Sequence, residues 1–275
     1  MKGLIVSEFE RLWSRKFIII LFLSIPALTF ALGMYYKSNN EEIIQLQPDF
    51  ATALNFPILG LAEHLFITFN LLLLMLIGFT VTEEYQHGHL RLLLLRSYSL
   101  AQIYRAKFIV ISLTVLIVLL VYGISSFFTG WVLFDIPQQS ILFISDEPIS
   151  NRAMVFYIVY YYILAFISIV AVLALFLFIG IICPTINAVL GCGASLILFL
   201  IAAPQLLEQS TAFGSESTFV TFLAYASIMK IQYTGISLFL SGWEHWYWIV
   251  GVTGSYIIIF STLSYLIFTR RSYFV

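Results

Sequence analysis

Residues 219–240 read FVTFLAYASIMKIQYTGISLFL, and the fold turns on whether this stretch crosses a membrane. It is apolar enough to pass for a span, yet Lys230 stands at its middle and Gly235 and nearby Gly242 break it. A lysine at the centre of a spanning helix costs about 2.5–3.5 kcal/mol on insertion scales. Six other runs carry no such penalty, at about 17–36, 56–81, 108–134, 153–182, 186–207 and 246–268. Each reaches the roughly 20 apolar residues that a bilayer requires. With six spans, Lys2, Arg11, Arg15, Lys16, Arg91, Arg96, Arg105, Lys107, Arg270 and Arg271 share one side. Only Lys37, Arg152 and Lys230 of the 13 basic residues fall on the other. A seventh crossing would move Arg270 and Arg271 to the wrong face, against the excess of Lys and Arg that marks cytoplasmic loops. The sequence therefore predicts an all-α integral membrane protein with six transmembrane helices and both termini inside. Residues 208–245 are expected to form outer helices that enter the membrane without crossing it, which is tolerated where protein buries the backbone.

Composition agrees. Of 275 residues 61% are apolar and only 10% charged, with a mean hydropathy of +1.00; soluble domains carry about 25% charged residues. A net charge of −1 gives no electrostatic case for nucleic acid. Cys183 and Cys192 have no zinc-type spacing and read as small apolar core residues. Sixteen residues precede the first apolar run, which exceeds the ~15 residues of a signal h-region, so it is expected to stay attached as a span. No G-x-x-x-x-G-K-[ST] loop, H-E-x-x-H or G-x-S-x-G occurs, and His87 and His89 do not share a helix face. The chain is expected to be no enzyme, with no catalytic residue, no metal site and no ATP site of that kind.

Residues 2–16, KGLIVSEFERLWSRK, place Ile5, Phe9, Leu12 and Trp13 on one helical face and Glu8, Arg11, Ser14 and Arg15 on the others. That pattern predicts an N-terminal helix lying in the headgroup layer. Cys183-Pro184-Thr185 predicts a tight turn between the fourth and fifth spans. Between the second and third spans lies TEEYQHGHLRLLLLRSYSLAQIYRAK, residues 82–107. Leu90, Leu93, Leu94, Tyr98 and Ala101 suit the apolar side of one or two short helices, and Gly88 suits the sharp turn out of the span.

Glu83, Glu84, Tyr85, Gly88, Leu90, Leu92–Leu95, Ser99 and Lys107 resemble the loop after the second span in type-2 ABC transporter permeases. The opening LIVSEFERLWSRK is similar to the N-terminal connecting helix of that family, and LIFTRRSYF to its usual end; His89, Ser97 and Leu100 depart from its loop pattern. The resemblance implies that residues 82–107 are a cytoplasmic coupling loop, with Glu83, Glu84, Gly88, Arg91, Arg96, Arg105 and Lys107 meeting an ATP-binding subunit. Two such subunits, holding ATP and Mg, would serve this chain and a second permease chain, identical or paralogous, in a bacterial plasma membrane. The implied activity is export of a hydrophobic or amphipathic substrate, such as an antimicrobial or toxic peptide, as in peptide-antibiotic and lantibiotic immunity permeases. An ATP-independent transporter or channel, or a scaffold or sensor without cargo, is the rival expectation.

Three further features are candidates. Glu63, His64 and Asn70 near the outer end of the second span would line the outer part of a substrate path, since ionisable groups in spans are costly; placement in the headgroup layer is the alternative. Ala188, Gly191, Cys192 and Ser195 form a small-residue stripe suited to close helix approach. By resemblance it meets a second permease; the alternative is packing within one bundle. Tyr157, Tyr160, Tyr161, Tyr162, Trp243, Trp246 and Trp248 fit an interfacial aromatic belt.

Overall fold

The computed structural model describes residues 1–42, 47, 50–86, 98–137, 140–141, 148–211, 218–243 and 245–270. A short helix, Lys2–Trp13, precedes six helices long and apolar enough to cross a membrane. These are span 1 (Lys16–Asn39), span 2 (Phe56–Thr82), span 3 (Leu100–Leu133), span 4 (Asn151–Ile182), span 5 (Ile186–Gln209, its helix running on to Thr211) and span 6 (Trp246–Arg270). The protein is an all-α, multi-pass membrane protein. Among the described residues the one departure from helix and loop is a two-residue antiparallel ladder, Ser140–Ile141 against Pro148–Ile149. The end of the bundle carrying the N-terminal helix is called proximal below, and the other end distal.

Span 3 begins eight residues earlier than its apolar run suggests. Ser99 and Gln102 form a reciprocal capping box, with the serine hydroxyl accepting from the Gln102 N–H and the Gln102 side chain from the Ser99 N–H. Glu83–Gln86 likewise continues span 2 as helix. The described parts of residues 82–107 are thus mostly helical extensions of the two spans.

Spans 2 and 4 form the middle of the bundle, with 61% and 67% of their most apolar stretches buried, whereas spans 1, 5 and 6 bury only 17–22%. Glycines set the close approaches around them. A Cβ at Gly180 of span 4 would lie 2.6 Å from Ile77 of span 2, and one at Gly33 of span 1 would lie 2.7 Å from Thr129 and Leu133 of span 3. Span 2 is not a plain α-helix. It widens into π-helical turns at Leu65–Phe69 and Gly78–Thr82, and such turns frequently mark functional sites.

The stretch 219–240 does not span. It folds as short helices, Thr218–Ala224 and Ile228–Lys230, a π-helical turn Ile231–Gly235, and Ile236–Leu240, and it leaves at Gly242 with φ +79°. Its apex lies deep. The Ser227 hydroxyl donates to the Leu200 carbonyl at 2.6 Å and Tyr256 donates to the Ala226 carbonyl at 3.3 Å. Leu200 and Tyr256 sit about 10 residues from the distal ends of spans 5 and 6, roughly 15 Å along the axis, about half a hydrocarbon core. Backbone at that depth needs partners; Trp248 Nε1 serves the Phe222 carbonyl at 2.9 Å and Tyr256 serves that of Ala226. Lys230 is held at 2.8 Å by Glu208 at the distal end of span 5, which relieves the cost that argued against a crossing.

Candidate functional site

The N-terminal helix is amphipathic, but its most buried stripe is Leu4, Glu8 and Leu12, one turn apart. Ile5, Phe9 and Trp13 flank that stripe half-buried, Phe9 stacks on Trp13 at 5.0 Å, and Trp13 Nε1 donates to Thr114 Oγ1 of span 3 at 3.3 Å. Glu8 is therefore an inward residue, not one of the polar face. Lys107 is likewise inward, because Ile103, Tyr104, Ala106, Val110 and Ile111 share its side of span 3 and are buried. Glu84 follows the second π-helical turn of span 2 and is 2% exposed.

These three meet at the proximal end. Lys107 Nζ donates to Glu84 Oε2 at 2.5 Å, to Glu8 Oε2 at 3.2 Å and to the Thr80 carbonyl at 2.9 Å. That carbonyl belongs to the π-helical turn Gly78–Thr82. Arg11 bridges the two carboxylates from the outside, paired with Glu8 and with Glu84. Farther out, Arg15 Nη1 donates to Glu83 Oε2 at 2.5 Å, both side chains about one-third exposed. Two buried carboxylates thus face two cations, and the unit is neutral. Beside it lies a crevice of about 10 Å³, about the space of a single water. Chemically this is a clamp. It fixes the N-terminal helix to the corner between spans 2 and 3, so a force on one reaches the others. Among the described residues no three His, Cys, Asp or Glu side chains are gathered to hold a metal.

Of the residues expected to meet a partner, Glu84 and Lys107 are turned inward and bonded within the chain, and Glu83 pairs with Arg15 at the surface. Arg105 is exposed on the opposite face of span 3 from Lys107. Gly88, Arg91 and Arg96, with Leu90, Leu93 and Leu94, lie outside the described residues.

Glu63, His64 and Asn70 point three ways. Glu63 is exposed on span 2. His64 Nδ1 lies 2.9 Å from Tyr122 Oη and 3.1 Å from the Gly60 carbonyl. Asn70, fully buried, directs Nδ2 to Gln232 Oε1 at 2.6 Å and to the Leu65 and Phe66 carbonyls at 3.0 Å. Gln232 reaches on to Ser168 Oγ of span 4 at 3.4 Å. This relay joins the first π-helical turn of span 2 to the π-helical turn of the re-entrant segment, near mid-bundle. The three residues therefore form no single path.

A family model described as a protein of unknown function, DUF2705, matches residues 49–274. The chain belongs to the DUF2705 family. No curated protein matches it. In this DUF2705 chain the matched stretch holds Glu83, Glu84 and Lys107, while Glu8, Arg11 and Arg15 precede it.

On span 5 of the DUF2705 chain the small-residue stripe faces away from the bundle. Gly191 and Ser195 are exposed and Ala188 is half-exposed; a Cβ at Gly191 would meet nothing within 4 Å. The glycine that packs inward is Gly193, where a Cβ would lie 2.2 Å from Leu74 Cδ1 of span 2. The alternative of packing within one bundle is therefore corrected for the stripe. The cysteines are corrected too. Cys192 is exposed and Cys183 half-buried, with the Cys183 thiol pushed up by burial and then by Cys192. Sequence reasoning missed Glu8, Arg11, Gln232, Ser168 and Gly193. For Glu8 the signal was present in its spacing of four from Leu4 and Leu12; for Gln232 and Ser168 there was none, because their partner Asn70 is 162 residues from Gln232.

Proposed function

We propose that this chain is the membrane-spanning permease of an ATP-driven exporter of the type-2 ABC kind. The observation that carries the reading is the buried clamp of Glu8, Arg11, Glu84 and Lys107. It makes the N-terminal helix and the proximal ends of spans 2 and 3 one rigid corner, with Arg105 exposed on the other face of span 3 and the basic segment 91–96 lying between the two spans in sequence. An element of this kind can pass rigid-body motion from a soluble engine to two spans at once. In this reading the proximal end faces the cytoplasm of a bacterial cell, two ATP-binding subunits carrying ATP and Mg dock there, and a second permease chain covers span 5. The cargo is a hydrophobic or amphipathic molecule, an antimicrobial peptide being one such class.

Glu84 and Lys107 act in this mechanism as the joint and not as docking contacts. Arg91, Arg96 and Arg105 remain the residues assigned to the partner. The reading is tested by copurifying the chain with an ATP-binding partner and measuring hydrolysis in vesicles. Triple replacement of Arg91, Arg96 and Arg105 by alanine should uncouple hydrolysis from transport. Transport by the purified chain alone in ATP-free vesicles would refute the reading and favour a secondary transporter or channel.

A further inference from the structure

A cavity of about 210 Å³ lies between span 4, span 6 and residues 231–239, the second limb of the re-entrant stretch 219–240. We propose that it holds one acyl chain of a bilayer phospholipid, which braces the re-entrant segment against spans 4 and 6. The inner wall is aliphatic, with Ile231, Ile236 and Ile249 all buried, and Ser168 and Thr253 are its polar members. Apolar cavities stay dry and accept hydrocarbon, and this one is larger than the roughly 150 Å³ of an apolar cavity that takes up benzene.

Position identifies the occupant. Ser168 lies 17 residues along span 4 and Thr253 seven residues along span 6, roughly 25 Å and 10 Å from their distal ends. The cavity thus extends from the distal part of the hydrocarbon layer to about its middle. At the mouth stand Ile167 and Val250, 41% and 49% exposed, and the outward surface nearby carries Ile163, Ile258 and Ile259. Large aliphatic side chains flank this mouth, and Gly251 and Gly254 of span 6 leave open space beside it. At hydrocarbon depth the medium around such an opening is the acyl chains of the bilayer. Occupation by a second copy is the outcome that the cross-link to a second copy would report.

The occupant has a mechanical consequence. Ile231 precedes Gln232, and Ser168 is both a wall residue and the end of the Asn70–Gln232–Ser168 relay. An acyl chain in the cavity therefore supports the same limb that the relay pins. This inference stands independently of ATP-driven export.

The test uses the full chain in phosphatidylcholine vesicles doped with a phosphatidylcholine bearing a photoreactive diazirine in one acyl chain. After irradiation, adducts are mapped by peptide mass spectrometry. Adducts are expected at Ile231 and Ile236, which are shielded from bulk lipid, as well as at exposed Ile163 and Ile259. Gly254 lines the cavity and a Cβ there meets nothing within 4 Å, so a side chain can enter from this position and Gly254→Leu is expected to fill the space. It should abolish labelling at Ile231 and Ile236 while leaving Ile163 and Ile259 unchanged. Thr253→Leu fills the same space from a neighbouring position and keeps the test decisive should one variant not fold. Labelling confined to exposed residues, wall labelling that survives both substitutions, or a cross-link from the wall to a second copy would each overturn the proposal.

Discussion

Replacing Lys107 by methionine removes the cation at the centre of the proximal clamp and keeps a side chain of similar reach. Glu8 and Glu84, 6% and 2% exposed, are then left with Arg11 alone, and the Thr80 carbonyl loses its donor. Breaking a buried ion pair by removing one partner costs about 3–5 kcal/mol, because an uncompensated charge remains buried. The lost bond to Thr80 adds about 1 kcal/mol. Adding Glu84→Gln removes the surplus charge and leaves Glu8 with Arg11. Groups in one network couple by about 0.5–3 kcal/mol, so the double variant should be more stable than Lys107→Met alone. Arg15→Ala, which breaks a partly exposed pair, should cost no more than about 1 kcal/mol. Thermal unfolding of the purified variants in detergent gives the comparison. Cross-linking between cysteines placed on the N-terminal helix and span 3 reports whether the corner has opened. A Lys107→Met protein as stable as the parent, or strictly additive effects of Lys107→Met and Glu84→Gln, would refute the clamp.

Glycines on span 5 should separate by face. Gly193→Leu forces a side chain into Leu74 and should destabilise the single chain by about 1–3 kcal/mol in thermal unfolding. Gly191→Ala should leave that stability unchanged and alter association between chains, read by cross-linking or light scattering. Asn70→Leu leaves Gln232 and two span-2 carbonyls short of a donor; about 1–3 kcal/mol should be lost, and hydrogen exchange should quicken at 228–235. If span 5 pairs with its copy, exposed Cys192 should form a disulfide between chains under mild oxidation, detected on non-reducing gels, provided the Cα atoms come within about 7 Å. Failure of Cys192 and of neighbouring engineered cysteines on that face to cross-link would remove span 5 from the interface.

What could be read along the chain was whatever depends on hydrophobic runs and charge bias. Six spans and the amphipathic N-terminal helix follow from local composition, since bilayer thickness acts on each segment separately; the non-crossing stretch follows from the cost of Lys230 together with the side on which Arg270 and Arg271 must fall. Orientation of side chains within a span followed less well. Lys107 counts as one more basic residue of a loop until the helix is seen to start at Ser99, and Glu8 passes for a polar-face residue until its spacing from Leu4 and Leu12 is given weight.

Tertiary structure alone decided the rest. A span that is apolar all round carries almost no directional pattern, so nothing in span 5 told Gly193 from Gly191, although one is packed against Leu74 and the other open. Asn70, Gln232 and Ser168 are remote in sequence, and only the depth of the re-entrant apex brings them together. The pairing of Glu8 and Glu84 with Lys107 has the same origin. Hydropathy is a property of segments, whereas a buried polar contact is a property of two segments at once, and its partner is fixed only when the helices pack.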